Sequence, residues 1–256
     1  FFRFLSRRLD DTKASLFCPF GGFEVVGVVT GSHGVAAIKK LNEDLSHSDE
    51  RLFSRSLNLG SMLEIADVGG DLSECALLGN ISTEDVYRIP GVPTVDQIIH
   101  LIQQAKPHIV FEAIPLDPES GEPASTLIRA ALESGAHVMS ANKGPVIYNR
   151  DALRSIAKSK GLSYRHESAV MDGVPIFSFW ERIMPGAKLL RVEGVLNATT
   201  NMIMSRMELE GETFEEALAV AQRYGIAEAD PSNDIDEIDT TFKLVALCNV
   251  LMGQNF

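Results

Sequence analysis

The chain has 256 residues, 45% of them hydrophobic and 23% charged, an ordinary balance for one large or two small globular domains. Its 23 Lys and Arg face 35 Asp and Glu, a formal charge of −12, which excludes nucleic acid as an expected partner and requires a local positive cluster for any phosphorylated ligand. Cys18, Cys75 and Cys248 are too far apart for a metal knuckle, and no apolar stretch reaches the ~20 residues of a bilayer span, so we expect no membrane insertion and a reducing, cytoplasmic setting, or a plastid if a transit peptide was removed.

The chain opens on FFRFLSRRLDD, which reads as a helix already under way, and closes on LMGQNF just after another helix, so further segments are expected at both ends. FEVVGVVT (23–30) is a β-branched run that predicts a buried strand, and GVAAIKKLNEDL (34–45) predicts a helix. Residues 46–93 read as short or irregular pieces. A helix over 94–105 capped by Thr94, a strand over 108–115 and a helix over 123–135 with a glycine stop follow. Next come a strand over 137–142, a helix over 150–161 and a strand over 163–170. Alternating strands and helices with short links imply a Rossmann-type, doubly wound parallel sheet of the α/β class. Ligands in such sheets sit beyond the carboxyl ends of the strands, which directs attention to the loops after Thr30, Ile114, Asn142 and Val170.

The pattern changes after MDGVPIF. A strand over 188–197, a helix over 199–211 and a helix over 213–225 opened by a Thr213/Glu216 capping box precede the last helix. We expect a nucleotide-binding domain over 1–168 and a second, α+β domain over 169–256.

That last helix, in DIDEIDTTFKLVALCNVLMG, carries Lys243 in an otherwise uncharged run, with Asp239 four residues before it. Burying an ammonium costs several kcal/mol unless it is paired, and desolvation favours the neutral amine that proton transfer needs. The pattern suits a catalytic lysine held by a carboxylate, or a structural ion pair reaching for the surface. Glu228, Asp230, Asp234 and Asp236 crowd the preceding loop, where they could cap the helix, receive a cationic substrate group or, more weakly, bind calcium. SANKGP (140–145) puts Lys143 at a strand end, facing solvent or a cofactor. VVTGSHG (28–34) is not a GxGxxG; its Thr30, Ser32 and His33 could accommodate the 2′-phosphate of NADP where an acid would read NAD.

Together, SANKGPV, ESAVMDGVPIF, GVLNATTNMIMSRM and AEADPSNDIDEIDTTFK resemble homoserine dehydrogenases from about residue 108 onward. The resemblance implies reduction of L-aspartate 4-semialdehyde to L-homoserine with NADP or NAD, in threonine and methionine biosynthesis. It also implies a homodimer formed through the sheet of the second domain. By motif, Lys243 matches the proton donor, Asp239 the carboxylate holding substrate and lysine, and Glu228 and Asp234 the acids around the substrate ammonium. Lys143 matches the lysine of the cofactor loop, so either lysine can be the one that transfers the proton. Carbonyls of Glu167, Val170, Asp172 and Val174 match a site for a monovalent cation such as sodium. The phosphate-cradling GxGxxG is absent, Ala198 stands where the family has glycine, and Asp172 stands where it has a small residue. A dehydrogenase of another amino-acid semialdehyde, or a nucleotide-sensing module without catalysis, is the alternative.

Overall fold

The computed structural model describes residues 27–29, 35–38, 56–57, 77–78, 86–227, 231, 238–254 and 256. The chain divides into two units. The first takes the described residues up to Val110 with Thr126–Val138 and Ile156–Ser163; the second takes Phe111–Ser125, Met139–Ser155 and the described residues from Tyr164 onward.

In the first unit, β1 (Gly27–Val29), β2 (Val35–Ile38) and β5 (Val86–Ile89) form an antiparallel sheet in the order β1-β2-β5, while β3 (Ser56–Leu57) and β4 (Leu77–Leu78) pair separately. The helix predicted from residue 34 is therefore a strand where it is described. Ala36 and Ala37 favour a helix in isolation, but ladders to β1 on one side and β5 on the other override that preference. Helix α1 (Val95–Ala105) follows, with both bonds of a Thr94/Gln97 capping box, and packs Leu101 against Tyr87 and Ile89.

The α/β class and its parallel sheet are carried by β6 (Ile109–Glu112), β7 (His137–Ser140) and β8 (Tyr164–Arg165). Their pairing is parallel: His137 N–H donates to the His108 carbonyl at 2.8 Å, and farther along Ala141 N–H donates to that of Glu112 at 3.0 Å. Helices α2 (Ala124–Glu133), α3 (Lys143–Tyr148) and α4 (Arg150–Ser159) make the crossovers that parallel strands require. Ile128, Leu132, Val138, Val146 and Leu153 from these elements are fully buried.

Beyond β8 the second unit is helical: α5 (Ser168–Met171), α6 (Ile176–Ile183), α7 (Ala198–Glu210), α8 (Phe214–Arg223) and α9 (Ile238–Leu251). The strand predicted over 163–170 shrinks to two residues, because Glu167 turns the chain into α5. The strand predicted over 188–197 has no strand partner among the described residues and stays irregular, with Leu190 and Val195 exposed. The Thr213/Glu216 capping box forms as expected. One core cluster joins Val146 and Ile147 of α3 to Ala169, Val170, Phe177, and Ala246 and Leu247 of α9. No described helix is long and apolar enough to cross a membrane.

His166 lies between Tyr164 and Phe177, with ring centroids 5.3 and 5.0 Å away, and is pushed down to about 4 from 6.5 by burial first and then by Arg150 and Arg154. Between those values the unfolded chain binds a proton that the folded chain refuses, so stability falls as pH drops from 6.5 toward about 4. Urea midpoints across that window should show this slope, and His166→Phe should remove part of it.

Candidate active site

At the carboxyl edge of the parallel sheet, β6 and β7 are tied by three buried polar side chains, Glu112, Ser140 and Asn142. The Ser140 hydroxyl donates to Glu112 Oε2 at 2.5 Å, and the Ile114 N–H and Asn142 Nδ2 donate to Oε1 at 2.9 and 3.4 Å. Asn142 N–H donates to Ser140 Oγ at 3.1 Å, Asn142 Nδ2 to the Ile114 carbonyl at 3.1 Å, and Asn142 Oδ1 accepts the Gly144 N–H at 3.0 Å. Asn142 thereby caps α3 and fixes the turn from which Lys143 leaves the sheet. The turn is pressed against the loop after β6: a Cβ on Gly144 would stand 2.6 Å from Gly121 Cα, and Gly121 itself sits at φ +68°. Only glycine fits either place.

Helix α9 presents Asp239 and Lys243 one turn apart. Lys243 Nζ lies 2.7 Å from Asp239 Oδ2 and donates to the Leu196 carbonyl at 2.9 Å. From the sheet edge, Lys143 Nζ reaches Asp239 Oδ1 at 3.1 Å. Asn197, the N-cap of α7, adds a donor to Asp239 Oδ2 at 3.1 Å while its own Oδ1 accepts the Thr200 N–H. All three charged side chains are four-fifths buried or slightly more, at 17%, 18% and 20% exposure. Burial is the largest influence on Asp239 and pushes its carboxyl up. The Lys243 bond, the Lys143 charge and the Asn197 bond together outweigh it and hold the group below its usual value. Two ammoniums on one carboxylate leave the trio with one positive charge uncompensated among the described residues. In a shielded site, that is a place for oxygen that gains negative charge.

Known proteins are similar to this chain. Residues 175–256 match the family model described as homoserine dehydrogenase. A homoserine dehydrogenase of Methanocaldococcus jannaschii is 40% identical over 157 residues, 61% of this chain and 47% of the relative. This chain is similar to the homoserine dehydrogenase family. An NAD(+)-dependent homoserine dehydrogenase of Pseudomonas canavaninivorans is 36% identical over 64% of this chain and 47% of its own. Among solved structures, a mutant hyperthermophilic archaeal homoserine dehydrogenase in complex with NADPH superposes with a TM-score of 0.70 at 27% identity, covering 99% of this chain and 67% of that one. The chain spans about half the length of the curated family members it matches.

Of the residues expected to act in a homoserine dehydrogenase, Lys143, Asp239 and Lys243 come together, although 96 positions separate the first two. Thr30, Ser32, His33, Glu228 and Asp234 lie outside the described residues. Glu167, Val170, Asp172 and Val174 frame α5. The Glu167 carboxylate accepts the Phe177 and Ser178 N–H groups at 3.1 and 2.8 Å, and so caps α6. Val170 is buried, Asp172 ends α5 at φ +47°, and the Val174 carbonyl accepts the Ile176 N–H at 2.8 Å. Among the described residues, no group of three or more His, Cys, Asp or Glu could hold a metal. Sequence reasoning missed Asn197 and Glu112. An asparagine immediately before the ATTNMIM helix was the signal for the first; a lone acid in the apolar strand IVFE was the signal for the second.

Asp239 stabilises the fold above its ordinary value of 3.8, and that contribution disappears as pH falls through its lower folded value. Asp239→Asn should thus lower the urea midpoint at pH 7 and differ less and less from the parent as the pH approaches 3. Gly144→Ala should destabilise by about 1–3 kcal/mol in the same experiment, through the overlap with Gly121.

Proposed function

We propose that the protein is a nicotinamide-dependent homoserine dehydrogenase, interconverting L-homoserine and L-aspartate 4-semialdehyde. The observation that carries the reading is the sharing of Asp239 by Lys143 and Lys243. The match of residues 175–256 to the homoserine dehydrogenase family model supports it, as do the NAD(+)-dependent relative and the NADPH complex of a structural neighbour.

The reaction places negative charge on the aldehyde oxygen and then a proton. Both lysines are equipped for this: among the described residues, Lys243 uses two of its three N–H groups on Asp239 and Leu196, and Lys143 uses one on Asp239. The remaining N–H groups can bind the oxygen, stabilise it as charge develops and deliver the proton; in the oxidative direction a neutral amine accepts it. Asp239 holds both amines in place, and Asn197 holds Asp239. When bound, NADP or NAD supplies or takes the hydride at the substrate carbon. The cofactor's reactive end fits the carboxyl edge of the parallel sheet, because Lys143 leaves the strand-end turn there and brings its charge to the trio.

In the same reading, Glu228 and Asp234 receive the substrate ammonium. Thr30, Ser32 and His33 accommodate the cofactor's ribose phosphate, and carbonyls of the 167–174 segment hold a monovalent cation. The nucleotide-binding domain runs over 1–168, and the substrate and dimerisation domain over 169–256. The enzyme works as a homodimer in the cytoplasm, in threonine and methionine biosynthesis.

NADPH oxidation by the full-length protein, offered aspartate 4-semialdehyde and other small aldehydes in parallel, tests this directly. Turnover should be specific for the semialdehyde, and Lys143→Ala and Lys243→Ala should each lower kcat by about 10²–10⁴-fold. Equal turnover of unrelated aldehydes, or an active Lys243→Ala enzyme, would contradict the assignment.

A further inference from the structure

A carboxylate that stands 6% exposed, with no ammonium or guanidinium described within ion-pair distance, is expensive to fold around. Glu112 is such a group, and its surroundings explain the choice of residue. Ile114 N–H can only donate. Asn142 Nδ2 must donate, because its Oδ1 accepts the Gly144 N–H. Ser140 Oγ already accepts the Asn142 N–H, so its own proton is directed at Glu112. Three donors converge on one side chain, and only an acceptor at both oxygens answers them all. A glutamine of the same shape would turn its NH₂ toward Ser140 and leave that hydroxyl's proton without an acceptor. The bonds are also placed to matter beyond the strand. They run from Glu112 to both residues that shape the turn, and Lys143 is the next residue after that turn.

The geometry points to Glu112 as a positioning residue: its carboxylate locks the Ser140–Asn142 turn so that Lys143 is held at Asp239. This rests on the proposed lysine chemistry for its kinetic consequence, but the placement of Lys143 can be measured without turnover. Glu112 touches no reacting atom. It acts through the turn, so its loss should misplace an amine rather than weaken substrate binding.

The test compares the full-length parent with Glu112→Gln and Ser140→Ala, by steady-state kinetics and by mass-spectrometric labelling of Lys143 with an amine-reactive reagent. At an unchanged melting temperature, Glu112→Gln should lower kcat by about tenfold or more while KM for the semialdehyde stays within about twofold, the split expected of lost transition-state positioning. Ser140→Ala should follow in the same direction, and the double variant should lose less than the two single losses combined, because both changes break one network. Labelling of Lys143 should speed up about fivefold or more in Glu112→Gln, as expected of an amine released from a shielded pair. If Glu112→Gln fails to fold, Ser140→Ala carries both readouts. Unchanged kcat and unchanged labelling in a folded variant would overturn the inference. A parent without semialdehyde turnover would count against the proposed function alone, and labelling would still decide the role of Glu112.

Discussion

Asp239 is the point on which the site depends. A carboxylate that is mostly withdrawn from water is unfavourable alone, and two neighbouring ammoniums would repel each other if it were absent. Placed between them, it offers Oδ1 to Lys143 and Oδ2 to Lys243. Each of the three groups makes the burial of the others tolerable, and removing one leaves the rest uncompensated. The remaining positive charge is the useful product of the arrangement. In the proposed reaction it would meet a carbonyl oxygen as that oxygen becomes an alkoxide.

Both amines are held by backbone geometry rather than by the ion pair alone. Lys243 is steered by its place on α9, whose Ala246 and Leu247 are locked in a core with α3, and by the Leu196 carbonyl just before the Asn197 cap. Lys143 is steered from the sheet, through the Glu112–Ser140–Asn142 network and the glycine-to-glycine contact at Gly144 and Gly121. Glu112, Ser140 and Asn142 are thus buried where they aim a functional group, and each finds hydrogen-bond partners in the network. The apolar core around Val146, Val170 and Leu247 keeps these elements at fixed distances.

Much of this was legible in the residues. Local devices announced themselves: Thr94, Thr213 with Glu216, and the glycine after α2 mark helix ends through short-range bonds. The i,i+4 spacing of Asp239 and Lys243 on an apolar helix was equally local. What failed depended on distant partners. Val35–Ile38 reads as helix until the ladders to β1 and β5 are known, and KLLRVEGVLN reads as strand although no described strand pairs with it. The Glu112 network was invisible for the same reason, since its members lie 28 and 30 positions apart and pair only once β6 and β7 are parallel neighbours.

The most direct measurement is a crystal structure of the full-length protein with NADP and homoserine bound, reading the distances from the substrate hydroxyl to the two amines. The proposed chemistry requires that oxygen within hydrogen-bond reach, about 2.7–3.2 Å, of Lys143 Nζ or Lys243 Nζ, with Asp239 still joining the pair. A substrate seated elsewhere, with both amines turned away from it, would contradict it.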